Sequence, residues 1–200
     1  AWILVPDSRK ALALMASAFY GHPSRELQMV GVTGTNGKTT IIALLYQLHC
    51  LLNFKAGMLS TIHVMIEGEP HPATHTTPDP VQINEYLREM ADRGCKYCFM
   101  EVSSHAIDQQ RIAGLRFDGG IFTNLTHDHL DYHKNFRGYL AAKKRFFDQL
   151  PKEAFALINS DDRNAGVMAQ NTRAGKYSYG MRSVSDFQGR IREMHLEGSL

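Results

Sequence analysis

The sequence has 200 residues, of which 44% are hydrophobic and 21% are charged, and its net charge is +2. This composition is ordinary for a globular protein and excludes a disordered or collagen-like chain. No apolar stretch approaches the roughly 20 residues that cross a bilayer, and the small charge argues against nucleic acid as the main partner. Three cysteines do not make a disulfide framework and fit a reducing cytosol. We therefore expect a cytoplasmic protein without membrane insertion.

Short β-rich runs alternate with helical patterns along the chain, which predicts an α/β fold. The expected architecture is a mainly parallel sheet in three layers, with helices on both faces. Strands are predicted over residues 2–5, 27–32, 58–66, 97–102, 119–124 and 154–159, and helices over 8–20, 39–52, 80–93 and 135–150. The second helix carries more apolar residues than one face needs, which predicts deep burial. After residue 183 the chain turns polar and irregular.

The strongest motif is the segment Gly31-Val-Thr-Gly-Thr-Asn-Gly-Lys-Thr-Thr40, which lies between a predicted strand and a predicted helix. Backbone N–H groups at such a turn and at the helix N-terminus can cradle a phosphate, and glycine lets the backbone approach it closely. Lys38 can reach the terminal phosphates and the Thr39 hydroxyl can ligate Mg²⁺. The strict loop pattern is not met, because Val32 stands where a glycine is expected. The alternative is a glycine-rich turn with an exposed lysine; the order of strand, loop and helix favours a nucleoside triphosphate site.

A carboxylate, Glu101, ends the predicted strand over 97–102. Ligands of open α/β sheets bind at the carboxyl ends of the strands, and a carboxylate oxygen suits Mg²⁺. The alternative is a surface carboxylate that merely ends a strand.

A histidine-rich segment, Thr126-His-Asp-His-Leu-Asp-Tyr-His133, follows the predicted strand over 119–124. Its spacing is close to the His-x-His-x-Asp-His of dinuclear metallohydrolases, but Tyr132 is inserted before the last histidine. A hydrolase would also leave the phosphate loop unexplained. A polar loop that caps a helix is another alternative. We therefore expect the histidine-rich segment to lie near nucleotide-bound Mg²⁺ rather than to form the zinc site of a hydrolase.

Lys143 falls near the centre of the apolar stripe of the predicted helix over 135–150, while Lys144 lies at the edge of that stripe. Burying an ammonium group costs free energy unless the group is paired. The alternative is a lysine whose stem packs while its amino group reaches solvent.

One pair of cysteines, Cys95 and Cys98, has Cys-x-x-Cys spacing and leads into a predicted strand. A single pair without a partner pair is a weak zinc signal, and a redox pair would stand at a helix start. We expect core cysteines.

Together these motifs resemble the Mur ligases, ATP-dependent enzymes that add amino acids to the peptidoglycan precursor. Within them the resemblance is strongest to those that add the third residue to UDP-N-acetylmuramoyl-L-alanyl-D-glutamate. The segments that carry it are the loop at 34–39, Thr76-Thr-Pro-Asp-Pro80, Glu101-Val-Ser-Ser-His105 with Gln109 and Arg111, Asn124 to His133, Tyr139-Leu-Ala-Ala-Lys143 and Asn159-Ser-Asp-Asp162. The first segment is shared across the superfamily, including folylpolyglutamate synthases.

The resemblance implies a role for individual residues. ATP would be bound by Gly34, Thr35, Asn36, Gly37, Lys38, Thr39, Thr40 and Asn159, the last at the adenine. Mg²⁺ would be held by Thr39, Glu101, His129 and a CO₂-carbamylated Lys143. The UDP-muramoyl substrate would contact Thr76, Thr77, Ser104, Gln109 and Arg111. Lys38, Lys143 and His129 would be catalytic.

The implied reaction is phosphoryl transfer from ATP to the substrate carboxylate, followed by attack of an amino acid, diaminopimelate or lysine, on the acyl phosphate. Mg²⁺ and lysine would offset the repulsion between carboxylate and polyphosphate. Two alternatives stay open: a folylpolyglutamate synthase-like ligase, and an ATP-binding module that ligates nothing.

The resemblance also implies a domain organisation with a P-loop NTPase-like central domain. Residues 1–25 would end an N-terminal UDP-substrate domain, and 26–200 would be most of the central ATP-binding domain. A C-terminal amino-acid-binding domain would be absent, so we expect a truncated monomer with little ligase activity of its own.

Overall fold

The computed structural model describes residues 2–60, 62–72, 77–126, 135–195 and 198–199. The helices are α1 Ser8–Phe19, α2 Lys38–Leu51, α3 Pro80–Asp92, α4 Ser104–Asp108, α5 Phe136–Asp148 and α6 Ala165–Met168, with one 3₁₀ turn at Pro23–Arg25. The strands are β1 Gln28–Thr33, β2 Ala56–Leu59, β3 His63–Ile66, β4 Glu69–Pro72, β5 Tyr97–Glu101, β6 Gly119–Phe122, β7 Phe155–Asn159, β8 Gly175–Gly180, β9 Phe187–Gln188, β10 Met194–His195 and β11 Gly198–Ser199. None of the described helices has the length and hydrophobicity to span a bilayer.

Nine of these strands form one sheet in the order β4-β3-β2-β5-β1-β6-β7-β8-β9. Every pair from β2 to β9 in that order is parallel, whereas β3 and β4 are antiparallel to their neighbours. Val32 of β1 pairs with Glu101 of β5 on one side and with Ile121 of β6 on the other. The predicted α/β fold with a mainly parallel sheet is confirmed.

Helices cover both faces of this sheet. On one face α2 buries Ile42 and Tyr46 in a cluster with Val32 and Phe99. On the other face α3, α4 and α5 contribute to a larger core. That core includes Ile83, Leu87, Met90, Ile107, Tyr139, Phe146 and Phe147. Two-sided burial explains why the central strands are continuous apolar runs.

The predicted hydrophobic face of α5 is confirmed, and Lys143 lies inside it. The helix begins after Asn135, whose side chain accepts a hydrogen bond from the amide of Gly138 at 2.8 Å. Such an N-cap satisfies one of the amides that a helix start leaves without a partner. Lys143 is 1% exposed. The solvent-reaching alternative for Lys143 is therefore wrong.

Three expectations about the fold were wrong. Residues 2–5 form no strand, and their side chains are exposed. The single strand expected over 58–66 is two strands, β2 and β3, and β4 follows after a turn at Glu67 and Gly68. Helix α2 is not deeply buried, since Leu44, Leu48 and Leu52 are half or more exposed. Its sequence is apolar on all sides, but only the side against the sheet has a partner among the described residues.

Candidate active site

Parallel pairing brings the ends of four strands to one edge of the sheet. The neighbours in order are β5, β1, β6 and β7. Glu101 ends β5, the glycine-rich loop follows β1, Thr123 and Asn124 follow β6, and Asn159 ends β7. Because all four strands run in the same direction, their carboxyl ends face one crevice, where ligands of open α/β sheets bind.

The loop between β1 and α2 is held tightly against the segment after β6. The amide of Thr35 donates to the carbonyl of Asn124 at 2.8 Å, and the hydroxyl of Thr123 donates to the carbonyl of Asn36 at 2.7 Å. At Gly34, where φ is +153°, an added Cβ would lie 1.9 Å from the Thr123 hydroxyl oxygen. Only glycine fits at position 34. The close approach of the two loops therefore requires a glycine here, whether or not a phosphate also contacts it.

The amides that remain open in this loop are those at the start of α2. Asn36 donates its amide to the side-chain oxygen of Asn124 at 3.0 Å, so neither it nor Thr35 is available to a ligand. Thr39 and Thr40 donate their amides to no residue in the described part of the chain. Gly37 is the N-cap, with φ +86° and no capping side chain. The start of α2 is therefore an open cradle of N–H groups for an anion.

Two lysines converge on this loop from opposite sides. The Lys38 Nζ donates to the carbonyl oxygens of Gly34 at 3.1 Å and Thr35 at 2.8 Å. The Lys143 Nζ donates to the same carbonyl of Gly34 at 2.8 Å and lies 4.8 Å from the ring centroid of Tyr139. Two ammonium groups so close together favour an anion between or beside them.

Glu101 is joined to the loop through Thr39. The Thr39 hydroxyl donates to Oε1 of Glu101 at 2.8 Å, and Glu101 is 0% exposed. The alternative of a surface carboxylate is therefore wrong. A hydroxyl and a carboxylate are the hard oxygen ligands that Mg²⁺ prefers, and a buried carboxylate is stabilised by a cation beside it. The residues present thus fit a magnesium ion, although no described group of three His, Cys, Asp or Glu forms a metal cage.

Three of the predicted substrate residues, Thr77, Gln109 and Arg111, form a hydrogen-bond network that reaches the backbone of Glu101. Thr77 donates its hydroxyl to the backbone carbonyl of Glu101 at 3.1 Å, and its own carbonyl accepts from Nη1 of Arg111 at 2.6 Å. Gln109 Oε1 accepts from Nε and Nη2 of Arg111, at 3.0 and 2.6 Å. A continuous hydrogen-bonded path therefore runs from Arg111 through Thr77 and Glu101 to Thr39.

Ser104 is placed differently from its predicted neighbours. It is 1% exposed, and its hydroxyl has no hydrogen-bond partner among the described residues. A buried hydroxyl without a partner costs about 1–3 kcal/mol. Ser104 therefore carries an unmet hydrogen bond next to the end of β5, as a ligand-binding hydroxyl would.

Asn159 lies at the same sheet edge, but its side-chain amide is already engaged. Its Nδ2 donates to the carbonyl of Thr123 at 2.7 Å and its Oδ1 accepts from the amide of Asp161 at 3.0 Å. The side chain thus joins β7 to the segment after β6. Thr76 and His129, with His127 and the rest of the histidine segment, lie outside the described residues.

Sequence reasoning assigned no site role to Tyr139 and Asp162, although both lie in its motif segments and both shape the site. Tyr139 shares a hydrogen bond of 3.1 Å with the Thr35 hydroxyl. Asp162 accepts from the amide of Leu125 at 2.7 Å and so fixes the segment after β6. Their signals were present, since Tyr139 stands one helical turn before Lys143 and Asp162 follows β7. The contacts join segments 37 and 104 residues apart, however, and periodicity does not reveal such distant partners.

The fold and the site define an α/β domain with an anion cradle at the carboxyl edge of a mainly parallel sheet. Residues 32–200 match the Mur ligase middle domain. The chain therefore belongs to the Mur ligase family, as the sequence motifs predicted.

The relatives agree with this assignment. The chain is 57% identical over 199 residues to UDP-N-acetylmuramoyl-L-alanyl-D-glutamate--2,6-diaminopimelate ligase of Bacteroides thetaiotaomicron, matching 100% of this chain and 41% of that protein. It is 41% identical over 190 residues to the enzyme of the same name from Geobacillus kaustophilus, matching 92% of this chain and 39% of that one. The chain thus spans about two fifths of the length of these relatives.

Solved structures confirm the fold. A structure of a UDP-N-acetylmuramoyl-L-alanyl-D-glutamate--2,6-diaminopimelate ligase superposes with a TM-score of 0.83 at 26% identity, over 99% of this chain and 44% of that one. Escherichia coli FolC in complex with DHPP and ADP superposes with a TM-score of 0.65 at 18% identity, over 99% of this chain and 53% of that one. The second likeness shows the shared fold alone.

Proposed function

We propose that the full-length gene product that carries this chain is an ATP-dependent ligase that adds an amino acid to UDP-N-acetylmuramoyl-L-alanyl-D-glutamate in the cytoplasm. The single observation that carries this proposal is the hydrogen-bonded path from Arg111 to Thr39. In a member of the Mur ligase family, that path connects the residues expected to hold the acceptor with those expected to hold the phosphates. The enzyme names of the relatives support the choice of acceptor.

The reaction has two steps. A carboxylate oxygen of the acceptor attacks the γ-phosphorus of ATP, ADP leaves, and an acyl phosphate forms. The amino group of the incoming amino acid then attacks the acyl carbon, phosphate leaves, and an amide bond closes. The first step brings a carboxylate against a polyphosphate, and the second brings an amino group against an acyl phosphate. The protein must therefore position the reacting groups and stabilise their negative charge.

Particular residues of this chain would bind the phosphates and the acceptor. The Thr39 and Thr40 amides and the Lys38 ammonium group would bind the β- and γ-phosphates, with Gly34 to Gly37 shaping the loop around them. Arg111, held in place by Gln109 and Thr77, would bind an anionic group of the acceptor. The Ser104 hydroxyl would supply a further hydrogen bond. Thr76 and Asn159 are proposed as acceptor and adenine contacts from the family motifs.

Thr39 and Glu101 would hold Mg²⁺, with His129 as a further ligand from the family motif. When bound, the ion neutralises phosphate charge and orients the reacting oxygens. Its binding would replace the present hydrogen bond between the Thr39 hydroxyl and the Glu101 carboxylate.

Lys143 is proposed to act as a carbamate. Its amino group is buried against Gly34 and Tyr139, close to Lys38. The ammonium group would first lose a proton, and the neutral amine would then add to CO₂ with loss of a second proton. These two losses would turn a cation into an anion that can bind Mg²⁺. The change would replace repulsion between two ammonium groups by attraction to Lys38.

The incoming amino acid is proposed to be 2,6-diaminopimelate, with lysine as the alternative. The names of the relatives carry this choice, since no described residue of this chain has been assigned to that amino acid.

A ligase assay tests the proposal. The full-length protein is incubated with UDP-N-acetylmuramoyl-L-alanyl-D-glutamate, ATP and Mg²⁺, with either diaminopimelate or lysine, and the amide product and ADP are measured. We expect one product for each ADP, only when all substrates are present. ADP release without product would favour the ATP-binding module that ligates nothing. Product only with a folate and glutamate would favour the folylpolyglutamate synthase-like alternative.

A further inference from the structure

An open cavity of about 230 Å³ lies beside Arg111. It is lined by Arg9, Leu12, Pro80, Gln109 and Arg111. Two of these come from α1, one from the first residue of α3, and two from the turn after α4. Two guanidinium groups from distant parts of the chain thus face one space.

Neither positive charge in this cavity is balanced by a carboxylate of the described residues. Among the described residues, Arg9 makes no side-chain hydrogen bond or ion pair, and the partners of Arg111 are the neutral oxygens of Gln109 and Thr77. These bonds use three of the five N–H groups of Arg111, which leaves two donors for a ligand. Two like charges at one cavity without a counterion favour the binding of an anion.

Both guanidinium groups are carried by fixed elements. Arg111 is held by three hydrogen bonds, as above. Helix α1 buries Ala13, Ala16 and Ser17, and the Ser17 hydroxyl donates to the carbonyl of Gly114 at 3.4 Å. The Asp7 side chain caps α1 by accepting from the amides of Arg9 and Lys10, at 2.9 and 3.1 Å. The position of Arg9 relative to Arg111 is therefore set by packing and capping.

We infer that Arg9 is an additional substrate-binding residue, which together with Arg111 binds one anionic oxygen group of the acceptor at this cavity. This inference rests on the proposed function. The shared chemistry is a phosphate or carboxylate that accepts hydrogen bonds from guanidinium groups, which bind both in a planar, two-point geometry. The acceptor offers two sources, its diphosphate and the carboxylates of its terminal glutamate.

The test compares Arg9→Gln with Lys10→Gln in the full-length gene product. Lys10 is the neighbouring exposed cation of α1 and is not part of the cavity, so the second variant matches the loss of charge. Binding of UDP-N-acetylmuramoyl-L-alanyl-D-glutamate, of UDP-N-acetylmuramoyl-L-alanine and of ATP is measured by calorimetry. Thermal unfolding checks that both variants fold.

We expect Arg9→Gln to weaken binding of the complete acceptor about tenfold, as loss of one charge-assisted contact does. Lys10→Gln should stay within about twofold of wild type, and ATP binding should be unchanged in both. Arg9→Lys, which keeps the charge but not the planar fork, should recover part of the loss. If the shorter ligand is weakened as well, the diphosphate is the bound group; if only the complete acceptor is weakened, it is a glutamate carboxylate.

Equal affinities of Arg9→Gln and wild type, or equal losses in the two Gln variants, would overturn the role of Arg9 while leaving the proposed function intact. Failure of the wild-type protein to bind either UDP-muramoyl compound would instead overturn the proposed function, and this inference with it.

Discussion

Lys38 and Lys143 donate hydrogen bonds to the same carbonyl oxygen, that of Gly34, from 3.1 and 2.8 Å. Lys38 begins α2 on one side of the loop, and Lys143 projects from α5 on the other. Because both ammonium groups are within reach of one oxygen, the loop is a point of concentrated positive charge. That charge is the physical basis for the proposed triphosphate site.

Replacing Lys143 should separate its chemical role from its structural one. Methionine has a similar shape and no charge, so Lys143→Met should leave the free energy of unfolding within about 1.5 kcal/mol of wild type. Ligase activity should fall at least about 100-fold, because a group that stabilises the reacting charges is lost. Thermal unfolding and turnover are measured together.

The neighbouring Lys144 provides the control for this variant. It forms a partly buried ion pair with Asp148, four residues on, so Lys144→Met should cost at most about 1 kcal/mol and little activity. If carbamylation is the role of Lys143, removing CO₂ and bicarbonate should lower wild-type activity, and adding them back should restore it. Full activity of Lys143→Met would contradict the catalytic assignment.

Gly34 should not tolerate a methyl group. The Cβ of Gly34→Ala would fall 1.9 Å from the Thr123 hydroxyl oxygen and 3.1 Å from the backbone of Asn124. We expect a loss of about 1–3 kcal/mol in the free energy of unfolding, as overpacking produces, and weaker nucleotide binding because the loop must shift. Gly166→Ala is the matched control, since an added Cβ there meets nothing within 4 Å. Equal stability of the two variants would show that the loops are not in close contact.

Asp161 should make the stability of the β8–β9 connection depend on acid pH. Hydrogen bonds from the backbone of Met181 and Ser183 lower the pKa of its carboxyl group from 3.8 to about 2. A lowered folded-state pKa adds stability above the unfolded-state value, and that stability is lost as the pH falls from about 4 through about 2.

Hydrogen exchange of the amides of Met181, Arg182 and Ser183 measures this dependence. These amides should be protected at pH 5 and progressively less protected toward pH 2, and Asp161→Asn should weaken both the protection and its pH dependence. Glu153→Gln, which removes an exposed carboxylate without described contacts, is the control. Protection of wild-type amides that stays constant down to pH 2 would rule out the role of Asp161.

The three cysteines should differ in reactivity. Cys50 is exposed, while Cys95 and Cys98 are buried. Burial raises the pKa of the Cys95 and Cys98 thiols, so less of the reactive thiolate is present. A thiol reagent at pH 8 should label one cysteine quickly in the native protein and all three after denaturation. Cys50→Ser should remove the fast phase; fast labelling of Cys98 in that variant would contradict its place in the core.

The sequence predicted the parts of the site that depend on local patterns. The helical period placed Lys143 on the buried face of α5, and the apolar run before Glu101 placed that carboxylate at a strand end. The clash that Gly34 avoids was not predictable, because Thr123 lies 89 positions away and is brought near only by the pairing of β1 with β6. The burial of α2 was mispredicted for a related reason. The sequence shows that Leu44 is apolar, but it does not show whether another element packs against that side of α2.

The surroundings of the proposed acceptor-binding residues were likewise not predictable from the sequence. Arg111 was named from its motif, but the cavity that it shares with Arg9 depends on how α1 packs, which no sequence spacing encodes. The departure from the strict loop pattern at Val32 has a structural reason, since that side chain is fully buried in the core beneath α2.

A crystal structure of the full-length protein with a non-hydrolysable ATP analogue and Mn²⁺ in place of Mg²⁺ tests the account most directly, because anomalous scattering locates the ion. The account predicts a triphosphate against the amides of Thr39 and Thr40 and the Lys38 ammonium group. It also predicts Mn²⁺ at about 2.0–2.3 Å from the Thr39 hydroxyl and a Glu101 oxygen. A nucleotide bound elsewhere, or an ion with neither Thr39 nor Glu101 as a ligand, would contradict it.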